Sequence, residues 1–128
     1  MDYTNVFIVV LLLVAAWFFY KKFAGVKGLT ELSSEAFAEQ LKAVKPSMLI
    51  DVREPHEFKN GHITGATNIP LSQLGSRLDQ IPQEKTLFLY CQSGMRSKQA
   101  ATKLIREGHT QVAHLRGGFM SWKGKRTR

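Results

Sequence analysis

From Tyr3 to Tyr20 the chain reads "YTNVFIVVLLLVAAWFFY", eighteen residues without a charge and, between Val6 and Phe19, without a polar stripe. A helix of that length spans about 27 Å at ~1.5 Å per residue, enough for the hydrocarbon core of a bilayer. A helix buried in a soluble core keeps a polar side, so the pattern predicts a membrane span. After residue 28 the pattern becomes an alternation. The short apolar runs "SMLIDV" (47–52), "TLFLY" (86–90) and "QVAHL" (111–115) have the form of strands buried on both faces. Helical spacings separate them. Phe37, Leu41 and Val44 follow Ser33 and Ser34, which can cap a helix start, with Glu35 in the first turn. Leu71, Leu74, Leu78 and Ile81 form a second stripe ended by Pro82. Ala100, Ala101, Leu104 and Ile105 form a third, stopped by Gly108, and "GGFMSW" begins a last short helix. Alternation on this scale predicts a small α/β domain with a mostly parallel sheet flanked by helices, preceded by one transmembrane helix.

The flanks of the apolar run bear on its fate. Its start holds Asp2 and no basic residue, and it ends in "WFFYKK" rather than a small-x-small cleavage pattern, which argues against a removed leader. Trp17 to Tyr20 suit an aromatic belt, and Lys21-Lys22 behind them place residues 21–128 in the cytoplasm by the positive-inside bias. The expected organisation is therefore a membrane anchor over 1–22, a basic linker over 23–28, a domain over 29–122 and a basic tail over 123–128. A net charge of +8 on 128 residues first suggests a nucleic-acid binder. Residues 28–122, however, hold eleven Lys/Arg against nine Asp/Glu, whereas the last six, "KGKRTR", carry +4. Basicity confined to the ends fits an anionic membrane surface at least as well as nucleic acid, and the +2 balance of residues 28–122 argues against a nucleic-acid patch on the body. The tail is expected either to be solvated or to lie against acidic lipid.

The chemistry gathers around the single cysteine. One cysteine excludes an internal disulfide, a multi-cysteine metal site and an internal dithiol cycle. His56, His62, His109 and His114 show no compact ligand spacing, so no metal is expected. Cys91 follows the apolar run 86–90 directly, and ligands of parallel sheets bind beyond the carboxyl ends of strands. In "CQSGMRS" (91–97), a helix starting near Ser97 would leave its first N–H groups facing the loop, where they and the helix dipole stabilise a thiolate. Gly94 allows backbone geometry that a side chain would obstruct. Arg96 and Lys98 at a helix N-terminus oppose the dipole unless an anion sits close by. The loop is thus expected to be an anion-binding cradle with a sulfur at its base.

Three landmarks in order, "DVREPHEFKNGHITGATNIP" (51–70), the apolar strand with "CQSGMRS", and "GGFMSW" (117–122), make residues 29–122 resemble the rhodanese-like sulfurtransferases of the single-domain kind. The resemblance implies that Cys91 attacks the outer sulfur of a small anionic donor such as thiosulfate and becomes a persulfide, without metal or organic cofactor. Gln92, Ser93, Gly94, Met95 and Arg96 would then hold the terminal sulfur, with Arg96 also holding the donor, and a thiol or a protein would accept the sulfur. Asp51, Arg53 and Ser97 would support the loop. Gly117-Gly118 would pack beside it, Phe119 and Trp122 would cover the core, and Gly61 and His62 would be architectural. Related phosphatases and arsenate reductases of this fold place their arginine six positions after the cysteine. Here it comes five after, which suits one sulfur atom rather than a tetrahedral oxyanion. The competing expectation is a module that relays sulfur or docks a partner at the membrane without turnover.

Overall fold

The computed structural model describes residues 2–23 and 28–128. Helix α1, Tyr3–Phe23, is exposed along its described side chains, and its length and apolar composition suffice to cross a bilayer. One such helix near an N-terminus fits a membrane anchor and a signal sequence alike. The expected linker falls largely on residues 24–27, outside the described residues.

The rest of the chain builds a five-stranded parallel sheet in the order β1-β6-β5-β2-β4, with β1 at Leu29–Leu32, β2 at Ser47–Asp51, β4 at Thr67–Asn68, β5 at Thr86–Tyr90 and β6 at Val112–Leu115. Strand side chains alternate between faces, and the sheet has a core on each. Leu87 and Leu89 of β5 join Ile50, Val112, Ala100 and Leu104 on the face covered by α4, Met95–Arg106. Phe88 and Tyr90 join Leu49, Phe37, Leu115 and Trp122 on the face covered by α2, Ser34–Ala43. Ser33 caps α2 as its sequence predicts, its hydroxyl accepting from the Ala36 N–H at 3.3 Å. The period of two carries one step past β5. Cys91 continues the Leu87–Leu89 row and turns its sulfur toward α4.

Three features differ from the sequence pattern. Helix α4 begins at Met95, not near Ser97, because Gly94 adopts φ of +107° and turns the chain straight into it. The stripe 71–81 is not one α-helix but two 3₁₀ segments, Leu71–Ser76 and Leu78–Gln80. Pro70 and Pro82 confine it and Gly75 weakens it, while Leu74 and Ile81 still reach the core. Finally, residues beyond Trp122 stay folded. The Lys125 carbonyl accepts from Trp122 Nε1 at 3.1 Å, and β7, Arg126–Thr127, pairs antiparallel with β3, His62–Ile63.

Candidate active site

Cys91 lies at the end of β5, 1% exposed, with its loop closing over it. The Gly94 N–H donates to Cys91 Sγ at 3.0 Å, which brings one backbone dipole onto the sulfur. Gly94 must be glycine for this contact, since its φ is one that side chains rarely adopt. Cys91 Sγ also lies 3.6 Å from Ser97 Oγ, whose hydroxyl donates to the Gly94 carbonyl at 3.1 Å. Behind Ser97, the His114 Nδ1 is 2.9 Å away, inside the protein. With the serine proton on Gly94, His114 Nδ1–H is the donor of that last bond. Burial pushes His114 below the usual histidine range, with the Glu31 carboxylate across β1 opposing and the Lys98 ammonium adding to that shift.

A second row of groups ties the loop to β2. Asp51 and Arg53 are buried on the opposite face from Cys91, with Arg53 Nη2 at 2.7 Å and Nε at 3.1 Å from Asp51. The same guanidinium donates to the Gly61 carbonyl at 2.7 Å and to Gln92 Oε1 at 3.2 Å. Burial alone would lower the Arg53 pKa, but the bonds to Asp51 outweigh it and raise it. The Arg53 guanidinium also lies over the Phe119 ring, 4.5 Å from its centre. Tyr90 accepts the Ile63 N–H at 3.0 Å, and its burial pushes its pKa upward.

The third support comes from residues 117–120. The Phe119 N–H donates to the Cys91 carbonyl at 2.8 Å and the Met120 N–H to the Gln92 carbonyl at 3.2 Å. A Cβ on Gly118 would stand 2.5 Å from Gln92 backbone atoms, so only glycine allows this approach. His62 bonds the Phe58 carbonyl through Nδ1 at 2.9 Å and stacks on the Phe58 ring.

Arg96 is at the mouth. Its Nη1 and Nη2 meet Glu57 Oε1 and Oε2 at 2.7 and 2.9 Å, a two-bond fork. Glu57 belongs to α3, Pro55–Lys59, and its carboxylate also accepts the Glu54 N–H. The bond from Arg96 pulls the Glu57 pKa down to about 2, and the same pairing raises Arg96. The structure therefore brings Cys91, Gln92, Ser93 and Gly94 together in the loop at the strand end and Met95, Arg96 and Ser97 in the first turn of α4 that follows it, with Asp51 and Arg53 bound to the loop through Gln92. Met95 projects outward and is exposed.

Sequence reasoning missed Glu57 and His114 as parts of the site. Glu57 stands inside the quoted "DVREPHEF", but its partner is 39 residues away, and His114 was weighed only as a metal ligand. The signal open to the sequence was period two along β6, which puts Val112 on the α4 face and His114 with it.

Comparison with known proteins gives the same frame. Residues 33–125 match the model of the rhodanese-like domain. The chain belongs to the rhodanese-like domain family. It is 52% identical over 81 residues to the uncharacterized protein YqhL of Bacillus subtilis, a match covering 63% of this chain and 64% of that one. It is 35% identical over 92 residues to a protein named sulfurtransferase from Allochromatium vinosum, covering 72% and 86%. Among solved structures, the rhodanese-related protein of Thermoplasma volcanium superposes with a TM-score of 0.69 at 28% identity, covering 77% of this chain and 97% of that one. The rhodanese-like fold of the parallel sheet and its helices is thus shared across sequence and structure.

Proposed function

We propose that the rhodanese-like domain transfers sulfane sulfur through a persulfide on Cys91. The Gly94 N–H aimed at the Cys91 sulfur at 3.0 Å carries this reading, because it sets a backbone donor against the one nucleophilic atom at the end of β5. The thiolate attacks the outer sulfur of a donor, thiosulfate being the simplest, and the donor's S–S bond breaks as its remainder leaves with the electron pair. The loop from Gln92 to Arg96 surrounds the new terminal sulfur. An acceptor thiolate then attacks that sulfur and releases Cys91, so the cycle is covalent and returns to its start without a cofactor. The names of relatives such as the Allochromatium sulfurtransferase support sulfur transfer.

In this reading α1 anchors the domain to the membrane through residues 3–20, with residues 21–128 in the cytoplasm. The bulky "WFFYKK" that closes the apolar run supports the anchor reading. Exposure of the full chain to thiosulfate followed by intact mass measurement tests the chemistry. A gain of about 32 Da, one sulfur atom, is expected in the parent chain and removed by cyanide, and is absent from Cys91→Ser. A gain retained by Cys91→Ser refutes it. For topology, Arg128→Cys combined with Cys91→Ser is expected to react with a membrane-impermeant maleimide only after cells are opened, and labelling of intact cells refutes the cytoplasmic placement.

A further inference from the structure

Cationic side chains at a sulfur-transfer site attract anionic donors in proportion to the charge they have to spare. Here both guanidiniums of the site are already matched. Arg96 is forked onto Glu57 at 2.7 and 2.9 Å, and Arg53 is forked onto Asp51 inside the protein. The four charges and Cys91 feel one another. The Arg96 pKa responds to both Cys91 and Asp51, and that of Glu57 to Arg53. The two guanidiniums balance the two carboxylates, so among these four paired groups none is left to offset the attacking thiolate, and the remaining cation of the helix start, Lys98, is exposed to solvent. Glu57, with a pKa of about 2, keeps its charge at every physiological pH.

Thiosulfate adds two further negative charges at the mouth, against the Glu57 carboxylate and with the Arg96 and Arg53 guanidiniums already engaged. A thiol persulfide adds one charge at most. Its outer sulfur is a single atom, for which the Gly94-based loop already provides a backbone donor. We infer that Cys91 is loaded from a thiol persulfide, on a small thiol or a protein, in preference to a dianionic donor, and that Glu57 sets this preference by occupying Arg96. The step is balanced. The Cys91 thiolate bonds the outer sulfur of R–S–SH, the donor S–S bond breaks, R–S⁻ leaves with the electron pair, and the proton stays on the transferred sulfur. No oxidant or reductant is needed. Glu57 is a specificity residue acting through Arg96 and takes no part in bond making. This inference rests on the Cys91 persulfide proposed above and concerns which molecule forms it.

The test loads the full chain in detergent with thiosulfate or with the persulfide of 2-mercaptoethanol, whose tail is uncharged, and follows Cys91 persulfide by mass at early times. The parent chain is expected to load faster from the persulfide. Glu57→Gln keeps the shape and the acceptor for the Glu54 N–H while removing the charge. It is expected to raise the ratio of thiosulfate to persulfide loading by about tenfold or more, the scale of one unit charge a few ångströms away near a protein surface. Comparing ratios between the two chains cancels the donors' own reactivities, and a merely structural role for Glu57 would move both donors together. Faster loading of the parent chain from thiosulfate overturns the donor assignment and leaves the Cys91 persulfide standing. An unchanged ratio in Glu57→Gln overturns the role of Glu57, and loading from neither donor overturns the persulfide itself.

Discussion

Replacing Asp51 by Asn is the sharpest probe of how the site is held. The carboxylate is fully buried and accepts the Arg53 backbone N–H at 2.8 Å, Nε at 3.1 Å and Nη2 at 2.7 Å. Asn keeps the volume and one acceptor, but sets an amide N–H₂ against guanidinium donors and leaves Arg53, 3% exposed, without its counter-charge. Removing one partner of a buried ion pair costs ~3–5 kcal/mol. Arg53 keeps the Gly61 carbonyl, Gln92 and the face of Phe119, so the lower end, about 3 kcal/mol, applies here. For a domain of this size that loss lowers the melting temperature by roughly 12–24 °C. Unfolding of the detergent-solubilised chain in urea, followed by the fluorescence of buried Trp122 over that of exposed Trp17, measures it. Combining Asp51→Asn with Arg53→Met removes the stranded charge, and the double variant is expected to recover at least half of the lost stability. A loss below about 1 kcal/mol for Asp51→Asn, or simple addition of the two effects, refutes the assignment of Arg53 as a cation held by Asp51.

Two further predictions concern the loop. Ser97→Ala removes the hydroxyl that holds the Gly94 carbonyl and accepts from His114, loosens the turn that aims the Gly94 N–H at Cys91, and should slow persulfide formation about five- to tenfold, the value of one hydrogen bond. His114→Phe should match it, while His114→Asn, whose amide can replace Nδ1–H, should recover most of the rate. Single-turnover loading checks this, and full activity in His114→Phe sinks the idea that His114 positions Ser97. The Glu57–Arg96 pair gives a pH signature. A carboxylate whose pKa falls from about 4.5 in the unfolded chain to about 2 in the fold contributes stability above the former value and loses it as pH drops through the latter. Because the pair borders solvent, its contribution is held to about 1 kcal/mol. The stability difference between the parent chain and Glu57→Gln should therefore be flat from pH 7 to about 5 and shrink below about 4 in denaturant titrations. A difference that grows on acidification contradicts the pairing.

Much of this architecture is legible in the chain because its central elements bury both faces. Residues 47–52, 86–90 and 111–115 have little polarity to spare, and such runs read as strands at a glance. Edge strand β1 was not legible. Its four residues mix Leu29 with Glu31 on one face and Thr30 with Leu32 on the other, so neither face reads as apolar, and β3, β4 and β7 are two residues each. No periodicity can be seen in two residues. The stripe 71–81 misled because leucines three and four apart fit both α and 3₁₀ windings, and the proline at each end decided between them. At the site, Cys91, Gly94 and Arg96 are close in sequence and could be read as one loop. What the sequence could not give is that Arg96 has a carboxylate partner, since that depends on α3 folding back from 39 residues away. Its rule-breaking position at a helix start was the trace of that partner.

The brace formed by Gly118, Phe119 and Met120 has a consequence in the order of events by which the molecule is made. Phe119 and Met120 hold the Cys91 and Gln92 carbonyls, Gly118 lets them approach, and all three follow the whole parallel sheet in the chain, beside the β3–β7 pairing. During synthesis the N-terminal parts emerge first, so α1 and the whole of the sheet from β1 to β6 precede the brace. The loop that holds the reactive sulfur is then braced only after every strand of the parallel sheet has been made. A chain stopped at residue 116 would carry the nucleophile, its strand and its helix, but not the two N–H groups that hold the Cys91 and Gln92 carbonyls.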